Sequence, residues 1–186
     1  MPTETIPRRR LTYDDFVRFP DDGRRHEIID GVHYVTPSPV TRHQLLVGRL
    51  HFALESYLRV NPGTGQVFLA PFDVVLSNWD VVEPDLLLIA ADQPGILTAK
   101  NVQGPPALVI EVLSPGTRAR DEQLKRALFE RTGVREYWLV DPDTNCVGVL
   151  RRGESGFAAS ITGAAEGWLE TPLLPGFRLS IAELFA

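Results

Sequence analysis

The stretch at residues 107–113, ALVIEVL, is almost continuously apolar. It follows a loop rich in glycine and proline and is broken by Ser114-Pro115-Gly116. A run of this length and character reads as a central β-strand covered on both faces. A chain that holds such a strand must place a layer on either side of it. One residue does not fit the pattern. Strand alternation puts Ala107, Val109, Glu111 and Leu113 on one face and Leu108, Ile110 and Val112 on the other. Glu111 therefore enters a covered interior, where an ionised carboxylate costs several kcal/mol unless something compensates it.

The rest of the chain supplies the layers. Residues 1–10 read as a frayed arm, and 11–186 as one domain. Thr12 with Asp15 gives a capping-box start to a short helix over 13–19 that ends at Pro20. Segments 24–29 and 32–36 flank Asp30-Gly31, a two-residue hairpin signal. Ser38-Pro39 opens a helix through Arg59, with Leu46, Leu50, Ala53, Leu54, Tyr57 and Leu58 at helical spacing. Asn61-Pro62-Gly63 stops it. Strands are predicted at 66–70, 72–77 and 85–91, and a loop at 92–106. A helix is predicted over 118–132 with Gly133 just past its end. Strands at 136–140 and 146–151 pair around Asp141-Pro142-Asp143. Segment 153–176 reads as weak strand and loop, and Ser180 with Glu183 caps a last short helix. The order predicts an α/β (α+β) fold, a mixed central β-sheet flanked by helices.

Composition narrows the classes. A chain of 186 residues is one domain, large enough to fold on its core alone. The single cysteine, Cys146, excludes internal disulfides and multi-cysteine zinc sites. No apolar run approaches a membrane span, and no apolar segment follows Arg8–Arg10 as a secretory signal would need. These features predict a cytoplasmic protein with no membrane partner. A net charge of −5 argues against non-specific coating of nucleic acid, but not against a metal-dependent enzyme built on clustered carboxylates. The sequence holds no GxSxG, HExxH, P-loop or GxGxxG.

Glu111 has two companions. Asp85 opens DLLLIA directly after Pro84 and enters the same core from a neighbouring strand, and Glu27 lies in HEII just before the Asp-Gly turn. Each could be paired separately with an arginine or a backbone donor. Alternatively the three converge, and converging carboxylates need a cation. An all-oxygen ligand set favours Mg²⁺ or Mn²⁺. Asp121, Lys125 and Phe129 share one helix face at i, i+4, i+8. Lys125 is one of only two lysines, with Lys100. It either reaches the carboxylates from the helix after the Glu111 strand or is a solvated lysine paired with Asp121.

The fragments VEPDLLLI, ALVIEVLSP and TRARDEQLKRALFERTGVREYWLVDP, in that order, resemble the Uma-type family of restriction-endonuclease-like proteins, within the PD-(D/E)XK superfamily. RRHEIIDG, SPVTRHQLLVGRL and the TYDDF helix are similar as well, so the resemblance covers residues 11–152. It implies a metal-dependent endonuclease that hydrolyses nucleic-acid phosphodiesters, DNA above all, with Mg²⁺ or Mn²⁺. Carried over residue by residue, Asp85 and Glu111 are the catalytic carboxylates and metal ligands. The carbonyl of Val112 and Glu27 complete the shell. The superfamily lysine would stand two residues after Glu111, where this chain has Leu113, so its role passes to Lys125 on the following helix. Asp121 would hold Lys125.

Other residues carry weaker expectations. His43 and Gln44 sit where the family often has His-Gln, which suggests a phosphate contact or a supporting role as against a buried structural histidine. Ser114 caps the turn or assists the site. Arg118, Arg120 and Arg126 flank it and either touch phosphate or form a solvated face. Trp138 reads as core and Asp141 as local turn chemistry. A homodimer would let two sites address a duplex. The alternatives are a catalytically silent dimeric scaffold that keeps the fold, and a phosphohydrolase for small phosphoesters.

Overall fold

The structure is a computed structural model that describes residues 9–163 and 167–186. Most of the expected arm, residues 1–8, lies outside the described residues. Arg10 at its end is docked, donating from Nε to the Asp30 carbonyl at 3.0 Å and lying over the Trp79 ring.

The apolar run forms a strand in the middle of a six-stranded sheet. In chain order the elements begin with α1 (Tyr13–Phe16), β1 (Arg25–Ile29), β2 (Val32–Thr36) and α2 (Thr41–Val60). Then come β3 (Gly65–Leu69), β4 (Val74–Ser77), β5 (Asp80–Val82), β6 (Leu86–Ala90), β7 (Val102–Gln103) and β8 (Leu108–Val112). A π-helical segment (Arg120–Lys125) runs directly into α3 (Arg126–Thr132). The remainder is β9 (Glu136–Asp141), β10 (Cys146–Gly153), β11 (Gly156–Gly163), β12 (Trp168–Glu170), β13 (Arg178–Ser180) and α4 (Ile181–Phe185).

The larger sheet has the order β11-β10-β9-β8-β6-β3, with β8 and β9 parallel and the other pairs antiparallel. A second sheet, β2-β1-β5-β4-β7, contains the predicted hairpin. Asp30 and Gly31 both take positive φ, 52° and 76°, the geometry that matches the twist of two paired strands.

Alternation along β8 is as the sequence implies. Leu108, Ile110 and Val112 pack with Leu86 and Leu88 of β6 against Leu46, Leu50, Leu54 and Leu58 of α2. Val109 faces the other way, with Leu87 and Ile89 of β6, into a core closed by Leu128 and Phe129 of α3 and by Val74 and Val82 of the second sheet. All five residues of β8 and the first four of β6 are buried, so both faces of each strand are covered there. Each fully buried leucine in these cores stabilises by roughly 1.5–3 kcal/mol relative to exposure. Leu50→Ala, at a position with no exposure, is expected to lower stability by about 2–5 kcal/mol, read from urea denaturation.

Differences from the sequence reading are local. The first helix is a single capped turn that gives way to bends before Pro20. The expected loop at 92–106 holds a 3₁₀ turn, Pro94–Ile96, and the short strand β7, which pairs in parallel with β4. β5 falls between two predicted strands. The predicted helix over 118–132 is π-helical in its first half.

Candidate active site

Antiparallel pairing sets Leu86 opposite Ile110, so the next positions along the two strands are Asp85 and Glu111. Asp85 shares its side with Leu87 and Ile89, and Glu111 with Val109. Both carboxylates therefore emerge at the same sheet end, on the face towards the second sheet and α3. The main-chain N–H of Asp85 points to Glu111 Oε2 at 3.4 Å. Glu27 comes from β1 of the second sheet. The three carboxylates thus meet at the seam between the sheets.

Lys125 closes the cluster. Its Nζ lies 2.7 Å from Glu111 Oε1, 2.7 Å from Glu27 Oε1 and 3.6 Å from Asp121 Oδ1. The side chain is 3% exposed. The wide π turn, common at functional sites, buries Asp121 and Lys125 together. Asp85 has its own partners: Arg25 Nη1 at 2.7 Å from Oδ1, and His43 Nε2 at 3.0 Å and the Val112 N–H at 2.9 Å from Oδ2. Arg120 leans over the Tyr34 ring and donates to Thr36 Oγ1 at 2.7 Å, with Glu27 Oε2 3.6 Å away.

A cavity of about 180 Å³ opens onto this cluster, lined by Arg25, His43, Asp85, Glu111, Arg120 and Lys125 among others. Glu27 does not line it. It sits behind Lys125 and also accepts from the Glu83 N–H at 3.0 Å. A second cavity of about 500 Å³ adjoins the first across Arg25, His43 and Asp85.

The four carboxylates Asp85, Glu111, Glu27 and Asp121 meet three fixed cations, Lys125, Arg25 and Arg120, so the fully ionised cluster carries one excess negative charge. Burial would raise the Asp85 carboxyl, but His43, Arg25 and the Val112 N–H outweigh it and hold it at about 2. Burial raises Glu111 well above the usual carboxylate range, and the charges of Asp85, Asp121 and Glu27 add to it against the pull of Lys125. Burial also raises Asp121. Burial alone would lower Lys125, but Glu111, Glu27 and Asp121 raise it above the ordinary lysine value, so the ammonium stays charged.

Among the described residues, no group of three His, Cys, Asp or Glu side chains is arranged to hold a metal ion. Lys125 stands between Glu27 and Glu111, and Arg25 and His43 occupy Asp85. What fits a hard divalent cation is the adjacent pair Asp85 and Glu111: oxygen donors, on a cavity, in a cluster with negative charge to spare. Among the described residues, three buried atoms at the cluster have no hydrogen-bond partner: Glu27 Oε2, Arg120 Nε and His43 Nδ1.

The family described as "Putative restriction endonuclease", Uma2, matches residues 13–182. The chain belongs to the Uma2 family. No curated protein matches it. A solved structure titled as a putative nuclease from Anabaena variabilis superposes with a TM-score of 0.80 over 94% of this chain and 97% of that one, at 20% identity. That likeness establishes a shared fold, the restriction-endonuclease-like arrangement of a mixed sheet between helices.

Within this Uma2 member, the structure brings together Asp85, Glu111, Lys125, Glu27, Asp121 and His43. Val112 lines the first cavity, as does Ser114, whose Oγ is 2.9 Å from Thr117 Oγ1. Gln44 lines only the larger cavity. Arg118 lines neither. It forks onto Asp141 at 2.8 and 3.0 Å and reaches Asp143 at 3.1 Å. Arg126 is exposed on α3. Trp138 is core, with Nε1 donating to Glu136 at 2.7 Å. Sequence reasoning missed Arg25 and Thr36. The signal for Arg25 was available, because it lies two residues before Glu27 and so on the same face of β1.

Glu83 carries a separate consequence. Burial, with Asp73 and Glu27 nearby, raises its carboxyl to about 7. The native state therefore holds a proton between pH 4.5 and 7 that the unfolded chain has released, and stability falls as pH rises through that window. Glu83→Gln is expected to flatten that slope, measured as urea midpoints at pH 5 and pH 8.

Proposed function

We propose that this protein is a nuclease that hydrolyses phosphodiester bonds of nucleic acid, DNA first, with Mg²⁺ or Mn²⁺ held by Asp85, Glu111 and the main-chain carbonyl of Val112. The observation that carries this reading is the adjacency of Asp85 and Glu111 on opposing strands at the cavity, with the Lys125 ammonium 2.7 Å from Glu111. When bound, such an ion supplies Lewis acidity at the phosphoryl oxygen and lowers the pKa of a water.

The chain's own residues do the rest. Lys125 takes the part of the superfamily lysine from the helix. Because three carboxylates keep it charged, it serves as a hydrogen-bond donor and positive charge towards the transition state, not as a base. Glu27 acts as the partner that fixes Lys125, with Asp121 beside it. His43 and the Val112 N–H orient Asp85. Arg120, held by Thr36 and the Tyr34 ring, presents a cation to phosphate on the cavity wall. A cytoplasmic location and a homodimer that addresses both strands belong to the same reading, and light scattering at micromolar concentration tests the dimer. Among the described residues, no helix is long and apolar enough to cross a membrane.

The scaffold reading draws on one observation: Asp85 and Glu111 are already paired with cations of the chain itself. A cleavage assay separates the two readings. Purified wild type with Mn²⁺ is expected to cut plasmid or oligonucleotide DNA, and Asp85→Asn is expected not to. Cutting no better than the Asp85→Asn control would make the scaffold the better account.

A further inference from the structure

The two oxygens of Asp85 are held unequally. Oδ2 is fixed by main chain, the Val112 N–H at 2.9 Å, and by His43, a buried side chain on the long helix α2, at 3.0 Å. Oδ1 is held by Arg25 Nη1 at 2.7 Å, and Arg25 is a flexible side chain, 20% exposed, at the first residue of β1. Arg25 is thus the exchangeable partner. It also stands on the boundary of the two cavities, since both are lined by Arg25, Asp85 and His43. On the far side another acceptor already waits. The same Nη1 is 3.4 Å from the Glu83 carbonyl, and the carboxylates of Glu83 and Asp73 line the roughly 500 Å³ space beyond.

We propose that Arg25 is the resident counter-cation of Asp85, and that nucleic-acid phosphate draws it away so that Oδ1 becomes free for a divalent cation. This inference rests on the metal-dependent reading above. A guanidinium and a divalent ion compete for one carboxylate oxygen, both by occupancy and by like charge. A phosphate offers the guanidinium a replacement oxyanion of matching fork geometry, so the arginine gives up one charge-assisted hydrogen bond and gains another. Metal and phosphate binding then support each other, and by linkage the support is equal in both directions.

The test measures metal binding directly. Free Mn²⁺ is followed by electron paramagnetic resonance during titration of wild type, Arg25→Gln, Arg25→Lys and Asp85→Asn, without nucleic acid. Arg25→Gln is expected to bind Mn²⁺ about ten-fold more tightly than wild type or more, and Arg25→Lys, which keeps the charge, to stay near wild type. With Ca²⁺ as the ion, fluorescence anisotropy of a labelled DNA duplex is expected to show metal-strengthened binding in wild type that is lost in Arg25→Gln. Equal Mn²⁺ affinity in wild type and Arg25→Gln, both above Asp85→Asn, overturns the role of Arg25 and leaves the metal site standing. Coupling that persists in Arg25→Gln overturns the exchange with phosphate. Binding by wild type and Arg25→Gln no better than Asp85→Asn overturns the metal reading itself, and this inference with it.

Discussion

Lys125→Met is expected to destabilise the protein by about 3–5 kcal/mol at pH 8, and by clearly less at pH 5. The ammonium is 3% exposed and lies within 3.6 Å of Glu27, Glu111 and Asp121. Without it, four buried carboxylates face two arginines, and the Glu27 and Glu111 oxygens each lose a charge-assisted hydrogen bond. The carboxyl groups respond by holding protons to higher pH in the native state than in the unfolded chain. Native binding of the extra protons makes stability fall as pH rises, so the loss is largest in alkaline buffer and shrinks as acid restores neutrality. Urea denaturation at the two pH values reads this directly. Adding Glu111→Gln to Lys125→Met removes one of the stranded charges and is expected to recover part of the loss, a non-additivity that a double-mutant cycle measures. The same physics governs how activity data on Lys125 are read. A dead Lys125 variant reports on catalysis only if it is still folded at the assay pH.

Much of this site is legible in the chain because strands have period two. Asp85 before an apolar run and Glu111 inside one are each anomalous on a covered face, and the antiparallel register of β6 and β8 makes them neighbours. His43 could be found in the same way from the helix period. It precedes Leu46, Leu50 and Leu54 on the buried stripe of α2, so its ring points inward as theirs do. Caps and turns were legible because their chemistry is local: Thr12 with Asp15, Asp30-Gly31, Gly133 and Ser180 all stand where they were expected. What the chain concealed depends on partners distant in sequence. β5 and β7 have three and two residues, too few for a periodic signal, and exist because β4 pairs with both. The π segment at Arg120–Lys125 has helical composition, and nothing local marks its extra width. Arg118 forks onto Asp141 across 23 positions of sequence, a pairing that no local pattern announces.

Glu111→Gln is expected to lower cleavage by about 10²–10³-fold or more while raising stability relative to wild type as the pH rises. Activity falls because the amide keeps the shape of the side chain but loses the negative charge that would hold the cation and face the Lys125 ammonium. The stability change has the opposite sign for a physical reason. Burial and the neighbouring carboxylates lift the Glu111 carboxyl well above its unfolded value, so ionising it costs folding free energy that glutamine never incurs. Below the ordinary glutamate pKa, wild type and variant should unfold at similar urea concentrations. Above it the wild type loses ground steadily, up to the raised native pKa, and the variant does not. A residue kept for the core would show activity and stability falling together when replaced. A charge held in the interior at a cost, whose removal steadies the fold and stops the chemistry, is what a site built for catalysis predicts. If Glu111→Gln instead lost stability at pH 8 and showed no change in cleavage, Glu111 would be a structural partner of Lys125 and the assignment of the carboxylate pair would have to be abandoned.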